Sequence, residues 1–334
     1  MNDREFLAKM PKAELHLHLE GTVSPETLWE MASRNHVALP VGSLKELRGL
    51  YEFESFDKFI ELWLAMCRCF RSDADYENMV DAFAADGARH NIRYVEAHFT
   101  PYNHEKYGIG GSRALEVVTR RIEAVQASGG PVIRLILDIP SEAGDVSAEY
   151  TAALLERTSN PYVAAIGLGG PEAGFPRNAF ARHFERARRA GYACVAHAGE
   201  TAGAHHVRQA VEELGARRVQ HGVRSAEDPA VLSLLASRGI CCDVALTSNL
   251  CLKVAASLAV HPLRKLLAAG VPVTLSTDDP PFFNTDLTRE YVRANEEMGF
   301  TREELWELNL NGLRHGLAEA GIRRKLMREF ESRR

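Results

Sequence analysis

The chain lacks the features that mark membrane proteins, secreted disulfide frameworks and nucleic-acid-binding proteins. No apolar run reaches the roughly 18 residues of a membrane-spanning helix, and residues 1–10 hold no apolar stretch of signal-peptide length. The formal net charge is −5, which argues against general affinity for nucleic acid or an anionic membrane surface. We therefore expect a cytoplasmic protein whose partner is neither a nucleic acid nor a membrane.

The chain has six cysteines, and none of them forms a Cys-x-x-Cys pair. Neither a zinc knuckle nor a thioredoxin-type motif is therefore indicated. Cys194, Cys241 and Cys242 lie in apolar runs and are interpreted as small buried hydrophobic residues. Free thiols of this kind fit a reducing compartment.

Strand-like apolar segments alternate with helical patterns along the chain, without a linker, repeat or low-complexity segment. With 46% hydrophobic and 25% charged residues, the 334-residue chain fits a globular protein with a large core. The predicted strands are Ala13–Leu19, Arg93–Thr100, Val132–Ile139, Tyr162–Leu168, Ala193–Ala198, Arg218–Gln220, Ile240–Leu246 and Val271–Ser276. The helical patterns between them include Ser112–Ala127, Ser147–Arg157, Arg177–Ala190, Ala204–Leu214, Asp228–Ser237 and Pro262–Ala269. This alternation predicts an α/β fold, a (β/α)₈ or TIM barrel, as a single domain over residues 1–334.

Two segments are longer than a minimal barrel requires. Residues 24–91, between the first two strands, carry helical patterns at Pro25–Asn35, Phe56–Leu64 and Ala74–Arg89. The apolar residues of the middle pattern recur at helical spacing, which fits either a helix on the barrel rim or an apolar lid over a site; they are Phe56, Phe59, Ile60 and Trp63. At the C-terminus, residues 286–333 predict capping helices at Asp286–Glu297, Thr301–Glu319 and Ile322–Arg333.

Ionisable residues gather where the predicted strands end. His16 and His18 are two residues apart on the first strand and therefore project from the same face. The others are His197 and Glu200 at the fifth strand, His221 at the sixth, and Asp278 and Asp279 at the eighth. Unpaired ionised groups are costly in a core, and barrel active sites form at the carboxyl ends of strands. The pattern therefore predicts one functional site.

The residue types at these strand ends suit a catalytic zinc ion. Three imidazoles and a carboxylate, from His16, His18, His197 and Asp278, provide the nitrogen and oxygen ligands that zinc takes while a further position stays open for water. Glu200 is expected beside the metal, with His221 and Asp279 left for proton handling and substrate orientation. We expect one Zn²⁺ per subunit, because no lysine stands at a strand end where it could bridge two metals.

Four short motifs together resemble those of the adenosine deaminase family, in the amidohydrolase superfamily. They are His16-Leu-His18-Leu-Glu-Gly, His197-Ala-Gly-Glu200, His221-Gly222 and Thr277-Asp278-Asp279-Pro280, and the resemblance runs from about Met10 to Asn311. It implies a barrel enzyme that uses zinc to hydrolyse the C6 amino group of a 6-aminopurine, which gives the 6-oxo product and ammonia. The cytidine and tRNA deaminases belong to another class, since their His-x-Glu and Pro-Cys-x-x-Cys signature is absent here.

The resemblance also implies a role for each matching residue. His16, His18, His197 and Asp278 correspond to the zinc ligands. Glu200 corresponds to the acid that protonates purine N1, so its pKa should be raised by burial. His221 corresponds to the group that orients the attacking water and helps take its proton. The substrate-binding positions are His18, Glu20 near the ribose 5′ end, Gly170 with its backbone N–H at purine N3, and Asp279 at purine N7.

The substrate is less sharply indicated. Family members that act on adenosine carry Asp where this chain has Glu20, and adenine-specific relatives carry Gly-Leu-Asp-Ser-Ser-Glu in place of Gly167–Glu172. The Gly169-Gly170-Pro171-Glu172 run instead resembles the aminodeoxyfutalosine deaminase-like branch, whose substrate is an adenosine extended at its 5′ end by a benzoate-bearing group. We therefore expect a purine nucleoside, either adenosine, deoxyadenosine or a 5′-modified relative, with adenine as the alternative.

Two other classes of function remain open: an amidohydrolase that cleaves an amide or ester, and a non-catalytic member of the family. Asp279 and Gly170 suit a purine ring and argue against the first.

Several residues outside the motifs receive weaker interpretations. Arg68, Arg71 and Arg177 are candidates to bind a substrate carboxylate but are read as surface residues, His205 and His206 as a solvent-facing pair, His98 as a core or supporting residue, and His261 as a helix cap.

Overall fold

The computed structural model describes residues 1–53 and 55–333. Eight parallel strands lie side by side in chain order, and a bridge between Leu17 and Asp278 brings the end of the last strand back to the first. The strands are β1 (Lys12–His18), β2 (Ile92–Phe99), β3 (Val132–Pro140), β4 (Val163–Gly169), β5 (Ala193–Ala198), β6 (Arg218–His221), β7 (Cys241–Val244) and β8 (Val273–Leu275). The barrel prediction is confirmed, and every predicted strand is present with its ends within two residues.

Helices surround the strands and separate them. They are α1 (Asp3–Lys9), α2 (Pro25–Arg34), α3 (Leu44–Gly49), α4 (Phe56–Cys67), α5 (Asp73–Arg89), α6 (Pro101–Tyr107), α7 (Gly111–Ala127), α8 (Gly144–Arg157), α9 (Ala181–Arg189), α10 (Ala204–Glu212), α11 (Pro229–Arg238), α12 (Leu246–Cys251), α13 (Leu263–Ala268), α14 (Leu287–Met298), α15 (Arg302–His315) and α16 (Ala320–Glu331). The predicted helix Thr301–Glu319 was too long, because α15 ends at His315. Within the described ranges, no helix has the length and apolar character needed to cross a membrane.

A buried ion cluster fills the interior of the barrel beneath the predicted site. Arg218 of β6 is fully buried, and its guanidinium lies 2.7 Å from a carboxylate oxygen of Glu96 on β2 and 2.9 Å from one of Asp243 on β7. Removing one member would leave an uncompensated buried charge, which typically costs about 3–5 kcal/mol. The cluster therefore links β2, β6 and β7 beneath the predicted site.

The helix α4 packs on the rim of the barrel at the carboxyl ends of the strands. The ring of Phe59 stacks on Phe283, with 5.6 Å between centroids, and Trp63 lies 6.0 Å from Phe282. Trp63 also meets His18 edge to face at 5.6 Å, so the helix reaches the predicted site itself. At the opposite end of the barrel, Asn309 of α15 accepts the backbone N–H of Ala13 at 3.0 Å.

Candidate active site

The side chains predicted to bind a metal come together at the carboxyl end of the barrel. Nε2 of His197 lies 3.1 Å from Nε2 of His16 and 3.1 Å from Nε2 of His18. Oδ1 of Asp278 lies 3.2 Å from Nε2 of His16 and 3.3 Å from Nε2 of His18. The four atoms therefore surround one point, although they belong to β1, β5 and the turn after β8.

The hydrogen bonds on the far side of two of these rings test whether the cluster suits a cation. Nδ1 of His16 donates to the backbone carbonyl of Asp243 at 3.1 Å, and Nδ1 of His197 donates to that of Leu168 at 2.9 Å. A carbonyl oxygen only accepts, so the neutral rings carry their protons on Nδ1. Each Nε2 atom is then unprotonated, and the lone pairs of the two atoms face each other across 3.1 Å. Such a pair cannot hydrogen-bond, and the donor set fits a metal ion.

The charges in the cluster also suit a cation. Burial alone would lower the pKa of His18, but Asp279 and Asp278 outweigh it and raise that pKa to about 10. Burial alone would raise the pKa of Asp278, but the imidazoles of His16 and His18 hold it well below its usual value. The carboxylates around the rings thus favour positive charge at this point.

A neighbouring carboxylate supports the first strand from the side. Asp138 of β3 lies with its oxygens 2.9 and 3.0 Å from Nδ1 of His98 and 3.7 Å from Nδ1 of His18. Burial raises the pKa of Asp138 to about 7. His16, His197, His221 and Asp278 form one group of possible ligand atoms, and His18 belongs to two others, one with His98 and Asp138 and one with Asp278 and Asp279. The prediction that His98 is a supporting residue agrees with this contact.

Two side chains of the site are held on strained backbone. His221 has φ +60° and Asp278 has φ +65°, a left-handed conformation that costs a residue with a Cβ about 1–3 kcal/mol. The hydroxyl of Ser248 fixes Asp278 further by donating to its Oδ2 at 2.7 Å. Burial, followed by the neighbouring His16, lowers the pKa of His221 to about 3. Such strain is typical of functional sites.

Glu200 lies beside the cluster on a loop that one buried carboxylate organises. Oε1 of Glu200 is 3.6 Å from Nε2 of His221. Burial raises the pKa of Glu200 well above its usual value, and Asp278 and Glu172 add to the effect. Glu172 in turn accepts the backbone N–H groups of four successive residues, namely Gly199, Glu200 and Thr201, each at 2.8 Å, and Ala202 at 3.3 Å. Glu172 therefore fixes the direction in which the Glu200 loop leaves β5.

Gly170 and Asp279 line the same cavity. Gly170 has φ +80°, and a Cβ there would lie 2.3 Å from Oε2 of Glu142, so the backbone approaches closely only because the side chain is missing. Burial and the neighbouring Asp278 raise the pKa of Asp279 well above its usual value. Among the described residues, Oδ1 of Asp279 has no hydrogen-bond partner. A protonated carboxyl here can donate to an acceptor in the cavity.

The cavity above these groups has a volume of about 60 Å³ and opens to solvent. Its apolar wall consists of Phe56, Phe59, Ile60, Trp63, Ile139 and Leu252, so the helix α4 also lines the site. Glu20 is not among the described lining residues. Its Oε1 instead accepts the backbone N–H of Thr100 at 2.8 Å and lies 3.2 Å from Nε2 of His104. Thr100, which precedes α6, and Asn103 on α6 do line the cavity.

Comparison with known proteins gives the family of the chain. The family model for adenosine deaminase matches residues 11–332. The chain belongs to the adenosine deaminase family. It is 36% identical to the aminodeoxyfutalosine deaminase of Streptomyces coelicolor over 329 residues, which cover 98% of this chain and 85% of that protein. It is 35% identical to the adenine deaminase of Bordetella parapertussis over 318 residues, which cover 94% of this chain and 99% of that one.

The fold agrees equally well with a solved structure. The adenine deaminase of Arthrobacter aurescens is 30% identical, and its superposition has a TM-score of 0.92 and covers 97% of this chain and 98% of that one. As a member of the adenosine deaminase family, the chain is a hydrolase that acts on C–N bonds in cyclic amidines and deaminates adenine-type substrates. Amidohydrolase-type deaminases use a metal, and the histidine and aspartate cluster is present.

Two interpretations of residues around the site of this family member were wrong. Arg177 was read as a surface residue, but it is fully buried and donates to the backbone carbonyls of Pro171, Phe175 and His197. His206 was read as solvent-facing, but it is buried with its Nδ1 3.4 Å from Glu172. Both follow the strands β4 and β5, where loops fold back over the barrel and bury polar groups that their own helices would expose.

Sequence reasoning missed several supporting residues of the family site. Ser248 and Asn249 follow β7, and Asp138 lies near the end of β3, so the strand-end rule that found the other residues applies to them as well. Glu172 was noted only as part of a motif. Its role depends on contact with the loop after β5, and no local pattern in the sequence reports such a contact. His261 does cap a helix as predicted, since its Nδ1 accepts the backbone N–H of Leu263 at 3.1 Å.

Proposed function

We propose that the chain hydrolyses the C6 amino group of a 6-aminopurine nucleoside with one Zn²⁺ per subunit, giving the 6-oxopurine nucleoside and ammonia. The observation that carries the proposal is the joint position of the ligand cluster, the buried Glu200 and the buried Asp279 around a single cavity. An aminopurine offers acceptor nitrogens on both sides of the reacting carbon. The site offers groups that can donate to them.

The zinc ion would be held by His16, His18, His197 and Asp278. Imidazole nitrogens and a carboxylate are common catalytic zinc ligands, and the outward-facing Nδ1–H bonds of His16 and His197 fix their rings for such a role. When bound, the metal would polarise a water molecule and make it nucleophilic at neutral pH.

The residues of the chain would then orient and activate the purine. Glu200, protonated because its pKa is raised, donates a proton to purine N1 and draws electrons from C6. Asp279, whose pKa is also raised, donates from its protonated carboxyl to N7. The backbone N–H of Gly170 meets N3, where the missing side chain leaves room for the ring. His221, one of the residues that line the cavity, orients the attacking water.

The residues that line the cavity support a nucleoside. The wall extends beyond the ligand cluster to Phe56, Ile60 and Asn103, so a substituent on the purine would meet a largely apolar surface. Similarity to the Streptomyces aminodeoxyfutalosine deaminase supports the 5′-modified candidate. Of the arginines considered for a carboxylate on such a group, Arg177 is committed to backbone carbonyls, and Arg68, which is not among the described lining residues, lies over the ring of Tyr107 at 5.2 Å.

One observation favours adenine as the second candidate. Oε1 of Glu20, at the position expected near a ribose, already accepts from Thr100 and lies outside the cavity wall. A base without a sugar would not need that carboxylate. Similarity to the Bordetella and Arthrobacter adenine deaminases supports the same reading.

A substrate panel tests the proposal. The zinc-loaded protein is incubated with adenosine, deoxyadenosine, aminodeoxyfutalosine and adenine, and kcat/KM is measured from the absorbance change and from ammonia release. We expect kcat/KM for at least one nucleoside to exceed that for adenine by tenfold or more. If kcat/KM for adenine exceeds that for every nucleoside, the nucleoside assignment is wrong. If no aminopurine releases ammonia while an amide or ester is cleaved, the deamination proposal itself fails.

A further inference from the structure

Behind His221, two more side chains continue in a line away from the cavity. Nδ1 of His221 lies 3.1 Å from Nδ2 of Asn249, and Oδ1 of Asn249 lies 3.0 Å from Nε2 of His261. Nδ1 of His261 accepts the backbone N–H of Leu263 at 3.1 Å. The line thus runs from a main-chain amide at the start of α13, through α12, to the catalytic face of the barrel.

The direction of every hydrogen bond in this line is fixed by its last member. A backbone N–H only donates, so Nδ1 of His261 must accept and its proton must reside on Nε2. That Nε2–H donates to the oxygen of Asn249, and the amide nitrogen of Asn249 donates to Nδ1 of His221. The opposite orientation would require His261 to accept at both nitrogens, which a neutral imidazole cannot do.

The neutral ring of His221 therefore carries its proton on Nε2, the nitrogen that faces the site. This atom lies 3.6 Å from Oε1 of Glu200 and 3.8 Å from Oδ2 of Asp278. His16 and His197 carry theirs on Nδ1, so the site contains neutral histidines of opposite tautomers.

We propose that Asn249 and His261 are positioning residues that hold His221 in its Nε2–H tautomer, so that His221 donates a hydrogen bond to the attacking water and does not take its proton. The inference rests on the proposed function and refines one role in it. Both nitrogens of the ring are engaged, one as donor and one as acceptor, and no lone pair is left for a proton. The proton that water loses then goes to a group other than His221. Of the two carboxyl groups near Nε2, Asp278 is the ionised one, because Glu200 already carries the proton that it gives to purine N1.

Burial makes the line rigid. Asn249 is fully buried, and His221 and His261 are 1% and 5% exposed. Desolvation lowers the pKa of His261 to about 4, which agrees with a neutral ring in the middle of the line. Water does not compete for these hydrogen bonds, so the tautomer is held by geometry that a single substitution can reverse.

The first test measures the tautomer of His221 directly. Zinc-loaded enzyme with ¹⁵N-labelled histidine is examined by long-range ¹H–¹⁵N NMR, and the His221 signals are assigned by their loss in a His221→Gln variant. We expect a protonated Nε2 and an unprotonated Nδ1. A protonated Nδ1, or a doubly protonated ring at neutral pH, would overturn the inference. This result does not depend on which substrate the enzyme uses, so it separates the inference from the proposed function.

The second test reverses the direction of the hydrogen bond between residue 249 and His221. In Asn249→Asp the carboxylate only accepts, so His221 should move its proton to Nδ1, and kcat should fall about 100-fold or more while KM changes less than about threefold. His261→Gln keeps a donor for Asn249 and should retain most of kcat, whereas His261→Leu should not. Cys251→Ala on the same short helix is the matched control.

Two outcomes of the second test would contradict the inference. One is a reversed tautomer in Asn249→Asp with kcat within twofold of the wild-type value. The other is equal kcat for His261→Gln and His261→Leu. If Asn249→Asp does not fold, the two His261 variants and the wild-type NMR spectrum still decide the question.

Discussion

The loop that carries Glu200 depends on one carboxylate, and replacing that carboxylate gives the most quantitative prediction. In Glu172, Oε1 accepts the N–H groups of Glu200, Thr201 and Ala202, and Oε2 accepts that of Gly199. The side chain is 1% exposed, so water cannot replace it. In Glu172→Gln the amide NH₂ is best placed at the Oε2 position, where it faces the N–H of Gly199 and leaves that donor unsatisfied.

The cost follows from these contacts. One buried unsatisfied N–H costs about 1–3 kcal/mol, and the three remaining bonds lose their charge assistance, which roughly doubles the strength of a hydrogen bond. We expect the free energy of unfolding of Glu172→Gln to fall by about 2–4 kcal/mol in urea denaturation. Because Glu200 shifts with its loop, kcat should fall at least about tenfold, while bound zinc stays at the wild-type level.

An exposed glutamate with a similar bond provides the control. Oε2 of Glu105 accepts the N–H of Gly111 at 2.8 Å and the hydroxyl of Tyr150 at 3.0 Å, but the side chain is exposed. Glu105→Gln should change the free energy of unfolding by about 0.5 kcal/mol or less and leave kcat unchanged. If Glu172→Gln is no less stable than Glu105→Gln and keeps its kcat, the loop-anchoring argument is refuted.

Two further substitutions test the proposed roles in the cavity. Glu200→Gln should keep its zinc, measured by elemental analysis, but lose about 100-fold or more in kcat because it cannot protonate purine N1; unchanged turnover would remove Glu200 from the reaction. Gly170→Ala should lower kcat/KM at least about tenfold, because its Cβ would lie 2.3 Å from Glu142 and 2.9 Å from Ser141. Gly174→Ala is the matched control, since it has φ +81° but no described heavy atom within 4 Å of the added carbon; equal losses in the two variants would attribute the effect to backbone strain alone.

The sequence predicted the barrel, and it predicted that the polar residues at the strand ends come together, because both leave local patterns. A buried parallel strand is a short apolar run, and a polar residue at its carboxyl end interrupts that run visibly. His16, His197 and Asp278 were found in this way. The short helices α1, α3, α6 and α12 were missed, although α13, of six residues, was predicted; a helical period is weak over six or seven residues.

The supporting residues depended on contacts that no local pattern records. Glu172 binds a loop that begins 27 residues later in the chain, and Asn249 connects two histidines that are 28 and 12 residues away. Whether a polar side chain near a strand end is buried depends on how loops from different strands fold over one another. That is also why Arg177 and His206 were read as exposed.

We propose that His16, His18, His197 and Asp278 together bind a single zinc ion. Anomalous diffraction at the zinc edge, from crystals of the zinc-loaded protein, tests it most directly. We expect one peak per chain, about 2.0–2.2 Å from Nε2 of the three histidines and from a carboxylate oxygen of Asp278. Two peaks, or a single peak between His98 and Asp138, would contradict the account.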